Sequence, residues 1–190
     1  EELQGVEASW ALISDNIVGD GKLSADEYRL VNFLPDLGFM PNGSGFAAIN
    51  KASSDNRPIL GRNVDWKVNP AFQSLQSITV YKSDERTIVN IGFAGLISVV
   101  TGYNSDGLFL AGLNAAPYSP YYQPGSNPHK KHTSSGFDFK ALLESKENSK
   151  QALKYLSARR YRNDINIMVA DKKTVKILEH SKERNSQTRS

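Results

Sequence analysis

The stretch Gly61-Arg62-Asn63-Val64-Asp65-Trp66 decides the fold, because it joins an apolar run to three chemically distinct side chains. The preceding residues, Pro58-Ile59-Leu60, predict a short strand, so a cation, a carboxylate and an aromatic ring fall at the end of that strand. These groups together suit a site for a polarised ligand. They also suit a strand-end salt bridge beside a core tryptophan, and the stretch alone does not separate the two interpretations.

Two further segments flank this stretch. Upstream, residues 42–50 predict a strand, and the polar residues 53–57 predict the turn that leads into Gly61. Downstream, residues 101–114 predict a hairpin whose strands are joined by the turn Asn104-Ser105-Asp106-Gly107. The three segments therefore predict antiparallel strands that carry polar residues at their ends.

In this order, the three segments resemble the choloylglycine hydrolase, penicillin V acylase and acid ceramidase-like branch of the N-terminal-nucleophile hydrolases. That branch has a nucleophilic Cys at the start of a strand, then Gly-Arg-Asn-x-Asp-Trp/Tyr, then a hairpin with Asn-x-x-Gly-Leu and Gly-Leu-Asn. The resemblance runs from about Gly43 to about Glu179. It implies an α+β fold, an αββα sandwich of antiparallel sheets, and hydrolysis of linear amide C–N bonds with no cofactor and no metal.

The chain departs from this pattern at the nucleophile. Gly43 stands where the family has its Cys, and the chain contains no Cys at all. Three explanations compete: a substitution of the Cys that traps a precursor, a natural non-catalytic relative, or a nucleophile one residue later at Ser44. The third is the weakest, because a shift of one residue along a strand turns the side chain to the other face. A parent sequence with Cys at position 43 would separate the first two.

The resemblance also implies roles for the other residues. Arg62 is the cation that lowers the thiol pKa and orients the substrate carbonyl, and Asp65 holds the α-amine that acts as the base. Asn114 donates to the developing oxyanion. Activation in such enzymes cuts the peptide before the nucleophile, here between Asn42 and Gly43. Since glycine has no side chain to attack that bond, we expect an uncleaved and inactive precursor.

Residues 1–42 are predicted to form a helical pro-segment, and residues 43–190 the N-terminal portion of the αββα domain. A helix is expected over Glu7–Ser14, and a second begins at Ser24, which forms a capping box with Glu27. The apolar residues 37–41 are expected to lie across the substrate groove. The family has a further strand with a Thr-Asn motif that has no counterpart here, so the domain is expected to be incomplete at its C-terminus.

The segment between the two helices, residues 16–27, resembles an EF-hand loop in part. Gly21, Leu23 and Glu27 fit its sixth, eighth and twelfth positions, but Asn16 replaces the first Asp and Val18 has no side-chain oxygen. A helical hairpin with a glycine turn is therefore favoured over a calcium site.

The rest of the chain predicts sheet, then helices, then sheet. Strands are predicted at 75–81, 87–91 and 95–100, helices at 137–146 and 149–158, and a last hairpin at 166–171 and 174–179. The Pro- and Tyr-rich residues 117–135 predict a surface loop over the site, in which His129 and His132 are not expected to bind metal because lysines lie between them.

Composition favours a globular domain, because 39% of the residues are apolar and 23% are charged. No apolar run is long enough to span a membrane. The net charge of +3 arises mainly after residue 150, where no aromatic-interleaved motif accompanies the basic residues, so nucleic acid is not an expected partner. The chain begins Glu1-Glu2 without Met, which is compatible with removal of a signal peptide, and we expect a secreted, periplasmic or lysosome-like location. The expected protein partner is a second copy of the chain (a homo-oligomer) or a C-terminal fragment.

The expected substrate is an N-acyl compound of the bile-salt, penicillin V, N-acyl-homoserine lactone, N-acylethanolamine or ceramide type. Trp66, Phe39 and Phe93 are predicted to contact its apolar acyl chain, although each residue also suits a plain core. The rival prediction is a non-catalytic binding protein that keeps the pocket, since polar networks also serve structure.

Overall fold

The computed structural model describes residues 2–9, 17, 19–66, 70–115, 132–181 and 186–189. The helices and strands in chain order are α1 (Glu2–Ser9), α2 (Ala25–Phe33), β1 (Asn42–Ala48), β2 (Ile59–Asp65), β3 (Gln76–Lys82), β4 (Thr87–Phe93), β5 (Thr101–Asn104), β6 (Phe109–Asn114), α3 (Ser135–Ser145), α4 (Ser149–Ser157), β7 (Ile165–Ala170), β8 (Val175–His180) and β9 (Gln187–Arg189). Short 3-10 helices cover Leu34–Leu37, Asn50–Ala52 and Pro70–Leu75.

The strands form two antiparallel sheets. β1 and β2 make a two-stranded hairpin, while β3 to β9 make a seven-stranded sheet in chain order. Neighbours in the large sheet are therefore neighbours in sequence, and α3 and α4 lie between β6 and β7 along the chain. The predicted α+β class with antiparallel sheets is confirmed.

Apolar alternation assigns the two faces of the large sheet. On one face, Ile165 and Ile167 of β7 join the core formed with Phe139, Leu142 and Leu143 of α3. These side chains are almost completely buried, and truncating such a leucine to alanine typically costs about 2 to 5 kcal/mol. On the other face, Met168 comes close to the hairpin: a Cβ added at Gly45 would lie 2.8 Å from its Cε. The hairpin and the helices thus cover opposite faces of the sheet.

Most predicted elements are confirmed within one or two residues, but the strand predicted at 95–100 is wrong. This apolar segment connects β4 to β5, and two buried asparagines satisfy part of its backbone. The Asn32 Oδ1 accepts from the N–H of Ile97 (2.8 Å) and of Ser98 (3.3 Å), while the Asn90 Nδ2 donates to the carbonyl of Leu96 (3.2 Å). Side chains therefore supply the hydrogen bonds that a partner strand would otherwise give.

The N-terminal helices confirm the capping box and correct the first boundary. Ser24 accepts from the Glu27 N–H, and the Glu27 carboxylate accepts from the Ser24 N–H at 2.9 Å. The first helix begins at Glu2 rather than Glu7, because the Glu2 carboxylate pairs with the buried Lys140 of α3. Residues 10–14 of the predicted helix lie outside the described residues.

Two loop predictions concern segments that the structure describes only in part. The Glu27 carboxylate of the EF-hand-like segment is engaged in the capping box, and positions 16 and 18 lie outside the described residues. In the ranges given above, no group of three or more His, Cys, Asp or Glu side chains could hold a metal ion. Most of the loop 117–135 is also outside them. No helix in the described part of the chain is long and apolar enough to cross a membrane.

Candidate active site

The hairpin register brings the predicted site residues to one place. Antiparallel pairing sets Asn42 opposite Asp65 and Gly43 opposite Val64, so both ends of the sequence motif meet at the open end of the hairpin. Gly45 lies opposite Arg62. Directly opposed residues share a face, and faces alternate along a strand, so Gly43 and Arg62 are on one face while Asn42 and Asp65 are on the other.

Hydrogen bonds fasten this open end to the end of β6. The Asn114 N–H donates to the Pro41 carbonyl (3.2 Å), and the Asn114 Nδ2 donates to the Asn42 Oδ1 (3.0 Å). The Arg62 Nη2 donates to the Gly112 carbonyl at 2.6 Å. Residues from three separate parts of the sequence therefore surround the peptide between Asn42 and Gly43.

Arg62 does not form the strand-end salt bridge that was the alternative interpretation. In the described part of the chain no ion pair joins it to Asp65, because residues three apart on a strand point to opposite faces. Its Nη1 instead donates to the Asn63 carbonyl at 3.1 Å, and its Nε is buried without a hydrogen-bond acceptor among the described residues. Burial lowers the Arg62 pKa to about 10 against the opposing effect of Asp65, so the guanidinium stays charged at neutral pH.

Ser44 faces away from Arg62. Its Oγ donates to the Asn63 Oδ1 at 3.1 Å, and the Asn63 Nδ2 donates in turn to the Asp65 Oδ1 at 3.0 Å, so these three side chains share the opposite face of the hairpin. Ser44 and Gly43 therefore lie on opposite faces of the hairpin, which is the argument against Ser44 as the nucleophile.

The backbone at Gly43 has a conformation that glycine adopts readily and other residues do not. Its φ is +133°, and a Cβ added there would overlap the carbonyl oxygen of Asn63 on the partner strand. The following N–H, that of Ser44, donates to the Asn63 side chain at 2.8 Å. A cysteine at position 43 would therefore require the backbone around Asn42 and Gly43 to move.

A cavity of about 420 Å³ opens next to this site, a size typical of small-molecule pockets. Val64, the register partner of Gly43, is part of its wall, and so are Trp66 and Phe93. The rings of Trp66 and Phe93 meet edge to face with centroids 5.3 Å apart, and Phe72 packs against both rings. Trp66 and Phe93, the residues expected to contact an acyl chain, therefore lie on the cavity wall.

Phe39 is not brought to the cavity. Its side chain is 55% exposed and is not among the residues that line the wall, because the turn that follows the 3-10 helix Leu34–Leu37 directs it to solvent. Sequence reasoning also missed most of the lining, which comes from the ends of β3 and β4 and the connection into β5 (Gln76, Ser77, Ile78, Ile91, Gly92, Leu96, Val100 and Thr101). No local pattern marks these residues, since they are distant in sequence and lie on ordinary strands.

Comparison with known proteins places the fold. No family model matches the chain, and no curated protein matches it. Among solved structures, a Caenorhabditis elegans N-acylethanolamine-hydrolyzing acid amidase ortholog is 18% identical with a TM-score of 0.60, covering 77% of this chain and 63% of its own. A mutant of the conjugated bile acid hydrolase from Clostridium perfringens is 20% identical with a TM-score of 0.53, covering 77% of this chain and 50% of its own.

This chain thus spans between about half and two thirds of the length of the structures it matches. At these identities the likeness concerns the fold. The chain therefore shares its α+β fold with these solved structures, and its sequence motifs resemble those of the choloylglycine hydrolase and acid ceramidase-like branch of the N-terminal-nucleophile hydrolases.

Proposed function

We propose that this chain carries the site of an N-acyl amide hydrolase, with glycine at the nucleophile position and the preceding segment still attached. The observation that carries the proposal is the position of Gly43. Its register partner Val64 lines an aromatic cavity, and hydrogen bonds hold Arg62 and Asn114 close to Gly43. A nucleophile placed there would face a pocket on one side and polar donors on the other.

The described contacts support the proposed roles. Arg62 is a half-buried cation two residues from Val64 on the same strand face, where it would lower the pKa of a thiol and orient an amide carbonyl. Asn114 has an amide donor that points at Asn42, the residue before the scissile position. Removal of Asn42 would release this donor for an oxyanion. Asp65 is opposite Asn42 and would then lie beside a new α-amine.

The substrate would be a linear amide with an apolar acyl group, of the bile-salt, penicillin V, N-acyl-homoserine lactone, N-acylethanolamine or ceramide type. Support comes from the cavity wall, which is mainly aromatic and aliphatic and contains no charged side chain among the described residues that line it. Such a wall suits the acyl part of the substrate, and the charged Arg62 side suits the amide.

The test is to compare Gly43→Cys with Gly43→Ala by intact mass and by hydrolysis of N-acyl amides. Both variants add a Cβ at the same strained position, but only the cysteine adds a thiol, so the alanine variant controls for strain. We expect Gly43→Cys alone to split before residue 43 and to release the acyl acid. If the cysteine variant folds yet neither splits nor hydrolyses any N-acyl amide of the five types, the hydrolase proposal fails.

A second function is favoured by one specific observation, the φ of +133° at Gly43. A backbone suited to glycine is what a non-catalytic binding protein with this fold would have at that position. In that case the chain with Gly43 would bind an N-acyl amide by calorimetry, Arg62→Gln would weaken that binding, and Gly43→Cys would bind without turnover.

A further inference from the structure

The wall of the cavity beside Gly43 is mainly apolar, but it also contains buried polar groups. Thr101 is only 4% exposed, and its hydroxyl has no hydrogen-bond partner among the described residues. The same holds for the indole N–H of Trp66, and both residues line the cavity. Buried polar groups are nearly always paired, so two unpaired groups on one cavity wall call for an explanation.

The strands explain how these groups come to one place. The pairing of β4 with β5 ends at Asn90 and Gly102, so the two strands separate beyond that pair and leave room between them. Thr101 is opposite Ala111, whose partner in β7 is Met168 near the hairpin, so Thr101 belongs to the sheet face that the hairpin covers. That face also carries Phe93, which packs against Trp66 at the end of the hairpin.

The chemistry of the two groups, the Thr101 hydroxyl and the Trp66 indole N–H, defines what they would bind. An indole N–H only donates, whereas a serine or threonine hydroxyl both donates and accepts, so an oxygen that accepts hydrogen bonds would satisfy them and an ammonium group would not. None of the described lining residues carries a charge, so the oxygen should belong to a neutral group. A hydroxyl, ether or ketone on an otherwise apolar ligand meets both conditions.

We propose that this cavity selects acyl groups that carry a neutral oxygen substituent over plain hydrocarbon acyl groups, with Thr101 as the main specificity-determining residue. The inference rests on the proposed function, because that function identifies the cavity as the acyl site. Within the five substrate types it favours oxygenated acyl groups over saturated chains.

The experiment measures binding of free acids to the whole chain by calorimetry, which needs no turnover. The probes are decanoate and its 3-hydroxy, 6-hydroxy and 10-hydroxy derivatives, which share length and charge and place the oxygen at different depths. One net hydrogen bond is worth up to about tenfold in affinity, so at least one hydroxy acid should bind roughly three- to tenfold more tightly than decanoate.

Variants assign the preference to its residue. Thr101→Val keeps the shape and removes the hydroxyl, so the ratio of hydroxy-acid affinity to decanoate affinity should fall to about one. Thr101→Ser should keep the preference, and Thr188→Val, an identical change at an exposed position on the far edge strand, should leave it unchanged. If Thr101→Val does not fold, Thr101→Ala replaces it and should likewise reduce the preference.

The outcomes separate this inference from the function on which it rests. If decanoate binds and no hydroxy acid binds more tightly, the inference is overturned while the acyl site stands. A preference that survives removal of the Thr101 hydroxyl also overturns it. If no acid binds at all, the cavity is not an acyl site, and both the inference and the acyl part of the proposed function are lost.

Discussion

Replacing Gly43 with alanine tests the backbone at the nucleophile position without adding any chemistry. The φ of +133° is one that residues with a Cβ rarely adopt, and such strain costs about 1 to 3 kcal/mol. The added Cβ would also overlap the Asn63 carbonyl, which belongs to the paired backbone of β2 and cannot rotate away as a side chain would. Strain and overlap act in the same direction, so about 1 to 3 kcal/mol is a lower bound unless the segment rearranges.

The change in melting temperature follows from the size of the chain. For a domain of about 150 to 250 residues, 1 kcal/mol lowers the melting temperature by about 2 to 4 °C. We therefore expect Gly43→Ala to melt roughly 2 to 12 °C below the parent by calorimetry. The urea midpoint should fall at an unchanged slope, because the surface exposed on unfolding stays the same.

Gly45→Ala is the matched control, since it makes the same change two residues further along β1. The φ of Gly45 is not in the left-handed region, and the nearest atom to an added Cβ is the Met168 Cε at 2.8 Å, the end of a flexible side chain. We expect a loss below about 1 kcal/mol, because a flexible methionine can adapt. If Gly43→Ala is as stable as the parent, or loses less stability than Gly45→Ala, the argument that this backbone is suited to glycine is refuted.

Two further predictions concern charged groups that join separate parts of the fold. Arg62→Met removes two hydrogen bonds to backbone carbonyls, which together contribute about 3 to 6 kcal/mol to stability. It also removes the cost of burying the charge, which is about 3 kcal/mol from the lowered pKa at about 1.36 kcal/mol per pKa unit. Urea denaturation should therefore show a net loss of up to about 3 kcal/mol in the free energy of unfolding. A gain in stability would show that burial outweighs these bonds. Burial raises the pKa of Asp36, which accepts from the Ser134 hydroxyl and the Ser135 N–H at the start of α3, so the folded state keeps a proton to higher pH than the unfolded state does. The stability of the parent relative to Asp36→Asn should therefore fall as the pH rises from about 4, where unfolded Asp titrates, towards 7, and a pH-independent difference in urea midpoints would contradict this.

Part of the candidate site could be predicted from sequence, because Asp65 and Asn114 end their strands and antiparallel pairing makes the two ends of such segments meet. Arg62 was expected at a strand end as well, but β2 continues past it and places it in the middle of the strand. The cavity could not be predicted in the same way, since residues such as Ser77 and Thr101 come from strands with no local mark of function. The sequence predicts contact of Phe39 with the acyl chain from its apolar character alone, and exposure of a single apolar residue follows no pattern in the sequence.

The connection from Gly95 to Val100 shows the limit of apolar runs as a guide. Its composition predicts a strand, but the side chains of Asn90 and of Asn32, which is 65 residues from Ile97, form hydrogen bonds with its backbone. Which groups satisfy a backbone N–H is decided by all the chain segments that surround it, and a window of a few residues does not contain that information.

The sequence by itself determined the α+β class, the order of most strands and helices, and the residue types of the candidate site, because alternation, caps and turn residues act over a few positions. The tertiary structure alone decided that Arg62 bonds to Gly112, that Val64 and Thr101 share a cavity wall, and that Gly43 takes a positive φ. These features join residues tens of positions apart or depend on the partner strand. They arise only when the sheets and the hairpin pack together and fix distances that the local pattern leaves free.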